Sequence, residues 1–225
     1  MTADSRSDAP TLVEDLLLLL FQPRSGTIAG ENTLFYVLGG AVLADLALGD
    51  HLTTADRKLR SVPGHPPSDG LLRSAWDYLA EKPRGVQTAL AAIGPALRKP
   101  VLERLVARGD IDQEPRKVLG LFRTTALREG RTERRARLLA DVRQVLVDGA
   151  EPQARVAALA ALLSASGTLP QFHREIPWTS SVISRAKELE RGDWGADAAA
   201  EAVTRTVTAS VVNSAIVAIT VLPRS

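Results

Sequence analysis

The sequence predicts a mainly α protein: a single compact helical domain with one or two short β-hairpins, one of them protruding. Three observations predict it. Hydrophobic residues make up 45% of the chain and are mostly Ala, Leu and Val, while aromatics are only 4%, so the core is built from small and aliphatic side chains that suit closely packed helices. Apolar residues recur at helical intervals in most segments between Pro and Gly breaks. Residues 111–125 break that pattern and read as a hairpin. With 225 residues, the chain divides into a polar, disordered tail over 1–9 and one domain over 10–225.

Thr11 caps the first helix, with Glu14 three residues on at the capping-box spacing. Leu12, Leu16, Leu17 and Leu20 form its apolar face, and Pro23 stops it. A second helix runs from about Glu31 to Leu48 and ends at Gly49. Residues 50–68 hold a short hairpin candidate and a Pro/Gly-rich loop. Ser68 or Asp69 then caps a helix bearing Leu71, Leu72, Trp76 and Leu79. Helices follow over Val86–Ile93 and Val101–Arg108, the second ending at Gly109. In the 111–125 hairpin, Ile111 and the run Val118–Phe122 flank the polar turn Gln113-Glu114-Pro115-Arg116. Further helices are expected at 131–147, 153–165, 180–191 and 196–221. Leu43-x-x-Leu46-x-x-Gly49-Asp50 is echoed by Leu102-x-x-Leu105-x-x-x-Gly109-Asp110, as two helix–Gly–hairpin units or as shared helix-ending grammar.

Several function classes are excluded or disfavoured. Cysteine is absent, which rules out disulfides and thiolate metal sites. His51, His65 and His173 are the only histidines and show no H-x-x-x-H spacing, so no metal or cofactor is expected. The N-terminus lacks a signal-peptide pattern. The apolar stretches Leu16–Phe21 and Val207–Leu222 are too short or too polar to span a bilayer, so a cytoplasmic location is expected. Nucleophile elbow, Walker and dinucleotide motifs are missing. Gly39-Gly40 inside a helix costs about 2 kcal/mol against alanine, which implies close helix packing or a backbone approach to a ligand. Glu14-Asp15 suits the first turn of a helix dipole. No catalytic residues are assigned, and the chain reads as non-enzymatic.

Charge distribution carries the functional reading. Arg98 to Arg143 holds 13 Lys/Arg against 7 Asp/Glu, an excess of six in a chain of net +2. The rest is therefore mildly acidic, and such a dipolar molecule orients on an anionic surface. Arg98-Lys99 precede Pro100, which fits the first position of a helix, and a phosphate bound there would meet two cations and free amides. Arg131, Arg134 and Arg135 share one helical face with Arg137 nearby. Val118, Leu119, Leu121 and Phe122 form an apolar hairpin segment beside them that either inserts into a membrane or packs inward. Together these residues point to a peripheral protein binding anionic phospholipid at the inner face of the membrane. The alternative is a winged-helix-like nucleic-acid binder, in which helix and hairpin would contact duplex; nucleic acid is the less favoured partner. A third reading is an adaptor that holds protein clients and forms homo-oligomers through the hairpin.

Three segments carry a family resemblance. Thr11-Leu12-Val13-Glu14-Asp15-Leu16-Leu17-Leu18-Leu19 is similar to an opening L-x-E-E-x-L-L-L, and Gly40-Ala41-Val42-Leu43-Ala44-Asp45-Leu46-Ala47-Leu48 to a G-x-x-L-x-E-L-A-L helix. Leu102-x-x-Leu105-Val106-x-Arg108-Gly109 is similar to a helix ending in L-V-E-K-G. The chain thus resembles a bacterial, actinobacterial-like member of the Golgi phosphoprotein 3 (GPP34) family over about residues 10–222. The resemblance implies an all-helical domain with a protruding hairpin that binds phosphatidylinositol 4-phosphate. In eukaryotic members the headgroup pocket uses a tryptophan, an arginine on the second helix and an R-x-x-R pair. By position these fall near Gly30, at Gly39, near Pro95 and at Arg98, so only Arg98 is retained and the headgroup is left unspecified.

Overall fold

A computed structural model describes residues 9–118, 122–192 and 209–217. Its centre is the first helix, α1 (Leu12–Leu20), in which every residue is buried, Glu14 and Asp15 included. The expected capping box forms: Thr11 N–H donates to Glu14 Oε2 at 2.7 Å, and Thr11 Oγ1 accepts from Glu14 N–H at 3.4 Å. Around α1 pack α2 (Leu34–Leu48), α5 (Arg98–Ala107), α6 (Arg134–Leu146) and α7 (Ala154–Ala165). A helix apolar on all sides is stable only with neighbours on all sides.

Buried carboxylates need partners, and three surrounding helices supply them. Asp15 accepts from Arg134 of α6 and Arg155 of α7, each at 2.6 Å. Arg134 also pairs with Asp110, and Arg155 with Asp45 of α2 at 3.1 Å. Arg108, at the end of α5, meets Glu14 at 3.1 Å. Asp45 also accepts the first N–H of α1, from Leu12, at 2.7 Å, and so caps a helix on a different segment.

Gly39 and Gly40 serve close packing. A Cβ on Gly39 would lie 3.3 Å from Leu90 Cδ2 and 3.4 Å from Gly94 Cα. One on Gly40 would lie 3.0 Å from Leu162 Cδ2. These glycines let α4 (Val86–Ile93), the 3-10 turn Gly94–Ala96 and α7 approach α2. At Gly94 a Cβ would fall 2.1 Å from the Phe35 carbonyl oxygen, so only glycine fits.

Helix boundaries follow the sequence reading, with physical departures. Asp69, not Ser68, caps α3 (Gly70–Glu81), accepting from Leu71 and Leu72 N–H. The helix expected from 131 starts at Arg134, because Gly130 and Arg131 still bond across to Asp110 and Gly109 and Glu133 is left-handed. The eighth helix, α8, spans Ser180–Glu190. Of the expected 196–221 helix, residues 209–217 are helical and the remainder lies outside the described residues, as does the tail over 1–8. The two helix–hairpin units are real, but they turn on different residues. After α2, Asp50 takes the left-handed conformation before the pair β3 (Leu52–Ala55) and β4 (Lys58–Ser61); after α5, Gly109 does. Short strands β1 (Phe21–Gln22) and β2 (Thr27–Ile28) pair with each other, and β5 (Arg84–Gly85) joins β4.

The second hairpin is longer than expected, and its turn is elsewhere. β6 (Ile111–Val118) pairs antiparallel with β7 (Phe122–Glu129), in a register from Ile111↔Glu129 to Val118↔Phe122. The polar run 113–116 is therefore strand, and Pro115 pairs with Thr125. A proline is tolerated because each strand of a two-stranded ribbon is an edge. The connection over 119–121 lies outside the described residues. Ile111 is buried but Asp112 to Pro115 are exposed, so the ribbon stands off the core.

Asp15→Asn leaves Arg134 and the partly exposed Arg155 facing a neutral amide that is itself buried, and should destabilise the fold by about 3 kcal/mol in urea unfolding. Asp45 differs. Burial raises its pKa above 3.8, against the lowering influence of Arg155 and the Leu12 N–H. A carboxyl whose folded pKa is raised binds more protons folded than unfolded, so its contribution is full below 3.8 and is lost as pH rises through the folded value. The stability of wild type relative to Asp45→Asn should therefore fall with rising pH across that window. A constant difference would contradict it.

Candidate anion-binding surface

The five cations expected to meet phosphate do not form one cluster. Arg98 and Lys99 start α5, whereas Arg131 donates its N–H to Gly109 just past the other end of that helix. Ten residues at 1.5 Å each separate the two groups by roughly 15 Å along the axis.

At the first end, Arg98 is already engaged. Its guanidinium grips Glu31 with two bonds, Nη2–Oε1 at 2.6 Å and Nε–Oε2 at 3.0 Å. The hydrogen bond to Glu31 raises its pKa. Lys99 is well exposed, with Glu103 Oε1 at 3.9 Å. Pro100 is the third residue of the helix, not the first, because the chain enters α5 from the preceding 3-10 turn through Leu97, itself helical. The amides expected to be open to phosphate thus follow a turn of helix.

At the second end, Arg131 is exposed and precedes α6. Arg134 and Arg135 are neighbours on α6 with different destinations. The Arg134 side chain, 11% exposed, is committed to Asp15 and Asp110, which corrects its reading as a surface cation. Arg135, 13% exposed, donates Nε–H to the Phe21 carbonyl at 3.1 Å and has Glu129 at 4.0 Å. Burial lowers its pKa, opposed by Glu129 and Glu175. One shared face for 131, 134 and 135 is therefore not what forms.

At the hairpin, Val118 and Phe122 make the last backbone pair, and Leu119 and Leu121 lie outside the described residues. The register brings out a pattern not drawn from the sequence. Arg116, Lys117 and Arg123 occupy the two rungs nearest the Val118–Phe122 pair, whereas Asp112, Glu114 and Glu129 lie toward the root. Knowing the correct turn would have revealed it; the proline misdirected that reading.

Among the described residues no cluster of His, Asp and Glu suits a metal ion, and no helix is long and apolar enough to cross a membrane. The model of the family described as Golgi phosphoprotein 3 (GPP34) matches residues 12–206. No curated protein matches the chain. Of the positions that resemblance assigns to the headgroup pocket, Gly39 is closed by packing, whereas Pro95 and Arg98 are exposed. Gly39 is buried against Leu90 and Gly94, a Cβ on Gly30 would meet Thr168 Cγ2 at 3.1 Å, and Arg98 is tied to Glu31 beside Gly30. Gly39→Arg should therefore not build a pocket. It should destabilise the protein by at least about 3 kcal/mol, read as a lowered melting temperature; an unchanged melting curve would mean the α2–α4 contact is looser than described.

Proposed function

Because the chain belongs to the Golgi phosphoprotein 3 (GPP34) family, we propose that it is a peripheral membrane protein that docks on anionic phospholipid through the tip of its protruding hairpin. It would act as a non-catalytic adaptor at the inner face of a membrane, on headgroups such as phosphatidylinositol 4-phosphate. The observation that carries this reading is the register of β6 and β7. It puts three cations, Arg116, Lys117 and Arg123, next to the apolar run Val-Leu-Gly-Leu-Phe over 118–122, at the end of a ribbon remote from the core. Apolar residues enter the headgroup boundary, and each near-surface cation adds about 1 kcal/mol on an anionic leaflet.

The nucleic-acid alternative loses support from α5, the helix that would enter a groove. Its cations already face carboxylates: Arg98 with Glu31, Lys99 with Glu103, Arg104 with Asp69, and Arg108 just beyond with Glu14.

Wild type should co-sediment with vesicles of phosphatidylcholine and phosphatidylserine and be released by raised salt. Replacing Arg116, Lys117 and Arg123 by Gln should weaken binding by about 3 kcal/mol, roughly 150-fold. Leu119→Ser with Leu121→Ser should weaken it even at low salt. Equal binding to neutral vesicles by all variants, or gel-shifted duplex without vesicle binding, would overturn the proposal.

A further inference from the structure

The β1–β2 turn lies against the hairpin, since a Cβ on Gly26 would sit 2.7 Å from the Leu127 carbonyl oxygen. At this corner an open cavity of about 470 Å³ separates that turn and the end of β7 from the start of α6 and residues 171–175. Arg24, Arg135, His173 and Arg174 line it, with Glu129 and Glu175 as its acids. Three arginines against two glutamates leave one net positive charge with the histidine neutral.

Arg135 makes the corner unusual. Its neighbour Arg134 has carboxylate oxygen at 2.6 Å. Arg135 is about as buried, yet Glu129 stands at 4.0 Å, beyond hydrogen-bond length, and Glu175 acts on it only through the field. Among the described residues its guanidinium donates to a neutral carbonyl, that of Phe21, and burial works against its charge. A largely buried guanidinium so placed gains most from an anion brought to it. Arg24 and Arg174 are exposed on the same cavity and free to close on such an anion, and the glutamates are exposed enough to turn to water. Trp178, 45% exposed, lies three residues beyond Glu175, hence within about 11 Å of it along the chain. An exposed indole is the side chain best suited to a boundary between water and an apolar phase.

We propose that the cavity between the β1–β2 turn, the hairpin root and residues 171–175 binds a phosphate group, clamped by Arg24, Arg135 and Arg174. Guanidinium forks match phosphate oxygens in pairs. The phosphate comes from a lipid headgroup or from a soluble phosphate ester, and the lipid source alone rests on the membrane-docking reading above. The two sources imply different poses. Eight rungs of ladder put the hairpin tip roughly 25 Å from its root. A headgroup in the cavity therefore requires the ribbon to lie along the membrane with Trp178 at the interface, whereas a soluble ligand leaves the ribbon free to stand upright.

The test is isothermal titration of the full chain with inorganic phosphate at constant ionic strength, beside co-sedimentation with phosphatidylcholine vesicles containing phosphatidic acid. Wild type should bind phosphate, and the Arg24→Gln/Arg174→Gln double variant should bind at least about tenfold more weakly. Lys82→Gln, at an exposed lysine that does not line the cavity, should bind as wild type does, and matching melting curves should show that all variants fold. No phosphate binding by wild type, or equal binding by the double variant, would overturn the site whatever the vesicles do. If the double variant also loses the vesicles, the ligand is a lipid headgroup. If it loses only inorganic phosphate, the ligand is soluble and hairpin docking stands. Phosphate binding by a wild type that ignores all anionic vesicles would sink membrane docking and leave this site in place.

Discussion

The structure depends on burying Asp15. A helix surrounded on every side can hold a carboxylate only if cations come to it, and Arg134 and Arg155 arrive from α6 and α7 to do so. Asp110 and Asp45 take further donors of those arginines, which ties the end of α5 and the last turn of α2 into the same network. Four helices are thereby registered against α1 by charge as well as by leucine. Aliphatic packing sets which surfaces meet, and paired charges set how far along each helix they meet.

That network explains how far the function could be read from the sequence. The excess of cations in the middle third suggested a single basic face. Much of it is structural: Arg134, Arg108 and Arg104 each face an acid from a distant segment, and Arg98 is held by a glutamate 67 positions earlier. Local sequence counts charge but not partners. A surface arginine and an arginine serving a buried aspartate look alike until the fold brings the aspartate to it. Glu31, Arg24 and Arg174, which shape the two ends of the surface, carried no local signal because each acts across a long loop of chain.

The fold was more legible because its signals are local. The Thr11–Glu14 capping box, the Gly39-Gly40 pair and the α4 limits at Val86 and Ile93 depend on residues within a few positions of each other. The hairpin is the exception. Gln-Glu-Pro-Arg has turn chemistry, yet eight cross-strand pairs outweigh one proline when the proline sits in an edge strand.

The isolation of the ribbon constrains assembly. A lone pair of strands presents two outer rows of backbone donors and acceptors, the template on which a second chain can add. Here one row is interrupted at Pro115, which has no hydrogen to offer, and Asp112, Glu114 and Arg128 add charge along the exposed length. Edge-to-edge stacking of copies into a continuous sheet would strand an acceptor at every Pro115. The ribbon can thus be long and unsheltered without inviting fibrous growth.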